Sequence, residues 1–156
     1  MKQVIHRVCL AGLLAVPALA HARPVVLNAQ LQNYGGSGAY LAVYLTDAAG
    51  KYSKTLWVAG SKVKYYKHLS DWARGSALDA RQFDGISGAS VGSGKALKVT
   101  VEVADAMIDA GYQIRIDSAY EDGRDTPAEV RSPLGKAGSG KPVAGRGIVK
   151  SFVYDM

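Results

Sequence analysis

From Leu97 to Val103 the chain alternates without a break, with Leu97, Val99, Val101 and Val103 at one set of positions and Lys98, Thr100 and Glu102 between them. Successive side chains of an extended strand point to opposite faces, so this spacing suits a strand with one face on a core and does not suit a helix. The same period recurs from Val25 to Gln32, where Leu27, Ala29 and Leu31 alternate with Asn28, Gln30 and Gln32. It recurs again from Tyr112 to Ser118, where Ile114 and Ile116 alternate with Gln113, Arg115 and Asp117. Runs rich in β-branched and aromatic residues at Tyr40–Thr46 and Tyr52–Val58, and the set Ile148, Phe152 and Tyr154, add further strands. Asp47-Ala48-Ala49-Gly50 suits a tight turn between two of them, and Gly35-Gly36-Ser37-Gly38 joins the first two strands. One helix is predicted, from Tyr65, Leu69 and Trp72 at i, i+4 and i+7, with Gly75 as its C-cap. Length fixes the scale. The 156 residues provide one core and not two.

The predicted architecture is therefore all-β, an antiparallel immunoglobulin-like β-sandwich with one short helix. Leu97, Val99, Val101, Ile114 and Ile116 are expected to face the core, with Lys98, Thr100, Glu102 and Arg115 outward. The Gly-, Lys- and Ala-rich stretch from Leu134 to Gly147 is expected to be a mobile surface loop.

Residues 1–22 have a different character. Lys2, His6 and Arg7 precede an apolar run from Val8 to Ala20, too short for a permanent membrane span, and Ala18-Leu19-Ala20 and Ala20-His21-Ala22 both fit a small-residue cleavage rule. A secretory signal peptide is expected, cut after Ala20 or Ala22, leaving a single domain at 23–156 and a periplasmic localisation. The only cysteine, Cys9, leaves with it, so the mature chain has no disulfide and no thiolate chemistry. The formal charge of +6 loses Lys2 and Arg7 in the same cut. No basic stripe remains to track a phosphate backbone, so nucleic acid is not an expected partner. Lys62, Lys64 and Lys67 are read as solvating one side of the helix.

Catalytic constellations are sparse. Gly135–Lys141 has the spacing of a phosphate-binding loop, but Pro142 stands where the magnesium-ligating hydroxyl belongs and no helix can follow. His68 is the one histidine certain to remain after processing and reads as a surface residue. Asp122-Gly123-Arg124-Asp125 lacks the ligand count of a calcium loop and reads as a polar turn. No serine stands in the strained elbow of a hydrolase nucleophile.

Asp84-Gly85-Ile86-Ser87-Gly88-Ala89-Ser90 is a different matter. It resembles the flavinylation motif D-x-x-[S/T]-G-A-[S/T] of flavin-carrying subunits of sodium-pumping and Rnf-type respiratory complexes, and all five specified positions match. In those proteins the last hydroxyl residue carries FMN through a phosphoester. The resemblance thus implies Ser90 as acceptor, Ser87 at the recognition position, Gly88 and Ala89 as small residues that admit a modifying enzyme, and Asp84 as a loop-positioning or metal-assisting carboxylate. Arg81 and Lys95 are the nearest cations in sequence for the phosphodiester, and Trp72, Tyr65 and Tyr66 are candidates to stack on the flavin ring.

The order of features also resembles a family of predicted periplasmic proteins, catalogued as a domain of unknown function, whose genes accompany PepSY-type membrane proteins and flavin transferases. Thr55-Leu56-Trp57, then Lys67-His68-Leu69-Ser70-Asp71-Trp72, then the heptad, then paired strands carry that resemblance over roughly 27–120. The family's heptad usually ends in Thr, and here Ser90 takes that place. The implied function is a periplasmic electron carrier, not an enzyme, with covalent FMN in a flavinylation loop at 84–94. Its implied partners are an FAD-dependent flavin transferase and a PepSY-type membrane redox protein. The alternative is a cofactor-free immunoglobulin-like interaction module.

Overall fold

The computed structural model describes residues 21–156; of the expected leader at 1–22, residues 1–20 lie outside the described residues. Eight strands form two sheets: β1 (Ala22–Leu31), β2 (Tyr40–Thr46), β3 (Tyr52–Ala59), β4 (Ser87–Gly88), β5 (Ala96–Ala104), β6 (Gln113–Ala119), β7 (Thr126–Pro133) and β8 (Val149–Asp155). One sheet has the order β5-β1-β8 and the other β4-β3-β2-β6-β7. The chain is an all-β sandwich with one short helix, α1 (Ser70–Ser76). Pairing is antiparallel except where β4 runs parallel to β3. β1 and β2 fall in different sheets, so the glycine tract at 35–38 crosses from one layer to the other.

The register follows the alternation. Val25, Leu27, Ala29 and Leu31 of β1 are buried, and across from them Leu97, Val101 and Val103 of β5 face the same core while Lys98, Thr100 and Glu102 are exposed. Ile114 and Ile116 are buried and Arg115 between them is half-buried. β2 breaks the rule, since every residue from Leu41 to Thr46 is buried. The reason is a third layer. The inner face of the large sheet packs on β5-β1-β8, and its outer face is covered by the segment from Val63 to Phe83, whose Tyr66, Leu69, Trp72 and Phe83 close over Ala42, Tyr44 and Val58. Two-sided burial erases a period of two.

A buried carboxylate fastens this outer layer. Asp117 of β6 is fully buried and accepts from the Trp72 backbone N–H at 2.8 Å, the Ala128 backbone N–H at 2.7 Å and the Tyr44 hydroxyl at 2.9 Å. α1 begins after Leu69, which has no side-chain oxygen to cap it, so a strand residue supplies the missing acceptor. Burial pushes the Asp117 carboxyl above its usual value against the opposing pull of those three donors.

Several expectations need correction. The predicted single helix around Tyr65–Trp72 is two pieces, a 3₁₀ helix Val63–His68 and then α1, broken at Leu69 with ψ of 70°. Within the 3₁₀ piece Tyr66 points inward and Tyr65 outward. Gly75 lies inside α1, and Ala77 at φ 53° ends it. β7 was not predicted. Pro127 and Pro133 near its ends depress any strand pattern, and both suit an edge strand that lacks a ladder partner on one side. The stretch 134–147 is not a free loop. Val143 and Phe152 exchange two backbone bonds of 2.8 Å, Gly140 N–H donates to the Tyr154 carbonyl, and the buried Glu129 accepts from the Gly147 and Val149 amides. These bonds tie the segment along the β8 edge.

Candidate functional site

The heptad is held in place by backbone hydrogen bonds. Asp84 N–H donates to the Ala80 carbonyl and Ile86 N–H to the Phe83 carbonyl, which folds the entry into a compact turn with Gly85 at φ 77°. The chain then extends as β4, where Val58 N–H donates to the Ile86 carbonyl at 3.0 Å and Gly60 N–H to the Gly88 carbonyl at 2.8 Å. At Val91 it pairs again, exchanging bonds of 2.7 and 2.9 Å with Ala39. Ala89 and Ser90 thus span two fixed points, and both are exposed.

Glycine is required at two positions around this span. A Cβ on Gly88 would stand 2.9 Å from Cζ2 of Trp57, so β4 lies flat against an indole ring. Gly88→Ala is expected to cost about 1–3 kcal/mol by overpacking; urea denaturation checks it, and a loss below a few tenths would show that β4 can lift away freely. A Cβ on Gly38 would stand 2.5 Å from Oγ of Ser90 and 3.1 Å from its Cβ, so the glycine tract leaves room for this hydroxyl alone.

Ser90 opens on a cavity of about 480 Å³. Gly38, Tyr40, Lys62, Tyr65 and His68 line it together with Tyr120, Glu121, Asp122 and Asp125 of the β6–β7 turn. The aromatic wall is ordered: Tyr40 and Tyr65 pack edge to face with centroids 5.8 Å apart. His68 Nδ1 lies 2.9 Å from Asp125 Oδ2, which ties the end of the Val63–His68 segment to the β6–β7 turn.

The residues named from the sequence separate here. Ser90 lines the cavity; Ser87, Gly88 and Ala89 lead up to it along β4, with Ser87 exposed and Gly88 half-buried. Asp84 is exposed at the far end of the heptad and does not line the cavity. Trp72 does not fit the stacking role. It is 0% exposed, its indole N–H donates to Thr55 Oγ1 at 2.9 Å, and Tyr66 and Phe83 meet it edge to face. No face of the indole is open to another ring. Tyr66 is equally buried, with its hydroxyl donating to the Gly60 carbonyl, which leaves Tyr65, 40% exposed, as the stacking candidate. Arg81 is engaged elsewhere, forked onto Asp79 at 2.6–3.1 Å, and neither Arg81 nor Lys95 lines the cavity. The cavity's lysine is Lys62. The spacing of Tyr40, Lys62 and the His68–Asp125 pair in sequence carries no motif; only the tertiary fold gathers them around the cavity that Ser90 lines.

A model of the family described as "Predicted periplasmic protein (DUF2271)" matches residues 22–151. The chain belongs to this family. The match covers β1 to β7, the start of β8, the outer layer and the heptad, and it makes the protein a periplasmic one. No curated protein and no solved structure matches the chain. Among the described residues no helix is long and apolar enough to cross a membrane, and no group of three or more His, Cys, Asp or Glu side chains is placed to hold a metal ion.

Proposed function

We propose that this DUF2271 protein is a periplasmic electron carrier with FMN attached through a phosphoester to Ser90. The observation that carries the reading is the coincidence of motif and site. The last hydroxyl of the heptad is exposed, pinned between two backbone anchors, and opens on a tyrosine-walled cavity within the usual size range for small-molecule sites.

The residues present fit the group. Ser90 Oγ would hold the group: in a transferase it would take the FMN phosphoryl from FAD, with AMP as leaving group and the hydroxyl proton going to a base of that enzyme. Gly88, Ala89 and Gly38 keep bulk away from the reacting hydroxyl. Tyr65 offers an open aromatic face, and Lys62 offers a charge to the phosphodiester. A bound flavin would supply one- and two-electron chemistry, so the chain needs no catalytic acid, base or thiol of its own. The proposed partners are an FAD-dependent flavin transferase for attachment and a PepSY-type membrane redox protein for electron exchange.

Visible absorption of the exported protein after co-expression with a flavin transferase tests this reading: a flavin spectrum that survives denaturation and gel filtration supports it, and a colourless protein contradicts it. A second result follows from the Gly38 contact. Gly38→Ala forces the Ser90 hydroxyl to turn, and initial labelling is expected to slow on the order of tenfold or more, because acceptor and phosphorus must meet in a narrow range of orientation. An unchanged labelling rate would show that the orientation set by Gly38 is irrelevant to transfer.

A further inference from the structure

Only three large hydrophobic side chains are well exposed among the described residues, and two of them, Val63 at 53% and Tyr65 at 40%, lie on the single 3₁₀ helix beside the cavity. The same segment carries Lys62, Lys64 and Lys67, all exposed and none in an ion pair among the described residues, and no acidic residue occurs between Gly60 and Leu69. Solubility alone calls for lysine but not for an apolar pair set among lysines.

The segment is also rigid. Tyr66 anchors it from below through the bond to the Gly60 carbonyl, Tyr40 supports Tyr65 edge to face, and the Lys62 amide donates to the Tyr40 hydroxyl at 3.1 Å. Lys64 Nζ lies 4.9 Å from the Tyr65 ring centroid. A fixed tyrosine with an aliphatic neighbour and a ring of unpaired cations has the make-up of an interface centre whose ordering cost is already met.

The geometry points to a docking surface, centred on Val63 and Tyr65 and rimmed by Lys62, Lys64 and Lys67, for a protein partner that presents acidic side chains around an apolar contact. Charge selects protein over membrane. The same cavity that Lys62 and Tyr65 line is also lined by Glu121 and Asp122, so a flat anionic bilayer laid on this face would meet repulsion next to attraction. A protein surface can be acidic only where it meets the lysines. Lys62 and the acidic pair, all lining the Ser90 cavity, would together fix the partner's orientation over it. The inference extends the carrier reading by describing how a redox or modifying partner would seat there. It is tested on protein without flavin, so its failure and the failure of the Ser90 reading are separate results.

The exported protein, ¹⁵N-labelled and produced without transferase, is titrated by NMR with a synthetic peptide in which Glu and Leu alternate. A parallel titration uses vesicles of phosphatidylglycerol and phosphatidylcholine. Saturable shifts centred on residues 62–68 are expected, weakening as NaCl is raised. Affinity should fall about tenfold in Lys62→Gln/Lys64→Gln/Lys67→Gln, with a comparable loss in Tyr65→Ala. Both variants change exposed side chains, and their unperturbed spectra elsewhere serve as the folding control. Absence of shifts in 62–68, shifts spread over the whole surface, or an affinity unchanged in both variants overturns the proposal. Vesicle binding through these lysines without peptide binding overturns it in favour of a membrane surface.

Discussion

Ser90→Ala is expected to abolish the proposed covalent flavin completely. Co-expressed with an active transferase, the wild type is expected to gain the mass of FMN less one water, to fluoresce yellow after denaturation and to bleach with dithionite, and the variant to show none of the three. No neighbouring hydroxyl stands in the same position: Ser87 is fixed on β4 at the recognition place of the heptad, and Ser93 donates to Asn33 while accepting from the Gly35 amide. Ser87→Ala is accordingly expected to keep most of the label. Asp84→Asn should lower labelling while leaving the fold intact, since its side chain is exposed and outside both cores. Intact mass after equal co-expression checks all three variants, and label persisting in Ser90→Ala would move the acceptor elsewhere.

Trp72→Ala has the largest expected effect on stability, about 3–5 kcal/mol. The indole is fully buried under Tyr66 and Phe83, and its loss opens a cavity between the outer layer and the five-stranded sheet. It also removes the N–H that meets Thr55 Oγ1, although the Tyr52 hydroxyl still reaches that oxygen. Urea denaturation with the slope held common to both proteins measures the difference. A loss below 1 kcal/mol would mean that the segment 63–83 does not form a packed layer. The distinction matters for function, because this layer carries Tyr65 and His68 to the cavity; in Trp72→Ala the labelling should fail through the fold, not through a missing stacking partner.

Where one face of a strand is buried and the other wet, the fold was legible in the sequence. Leu27, Ala29 and Leu31, and Leu97, Val101 and Val103, fall inward as their spacing requires. Legibility fails where burial is two-sided or where a distant group decides. β2 shows no alternation because layers cover both its faces. The helix break at Leu69 depends on Asp117, 45 residues away in sequence from the amide it caps, and no local pattern announces that. Trp72 illustrates the same limit for the site, since an aromatic at helical spacing reads alike whether it faces a core or a ligand. Tyr65 and Tyr66 are adjacent in sequence, and only the 3₁₀ geometry assigns one to the cavity and the other to the interior. The heptad itself needed no tertiary information, because the motif is contiguous. Its surroundings come from three separate stretches of chain, 37–40, 61–68 and 119–125, and were not legible.

Tandem mass spectrometry of the tryptic peptide Gln82–Lys95 tests the central claim most directly, because cleavage after Arg81 and Lys95 isolates Ser87, Ser90 and Ser93 on one fragment. From protein co-expressed with an active flavin transferase, the peptide should carry one FMN phosphoester, with the fragment series placing the added mass on Ser90. An unmodified peptide in the presence of a transferase that labels another substrate, or an adduct on Ser87 or Ser93, would contradict it.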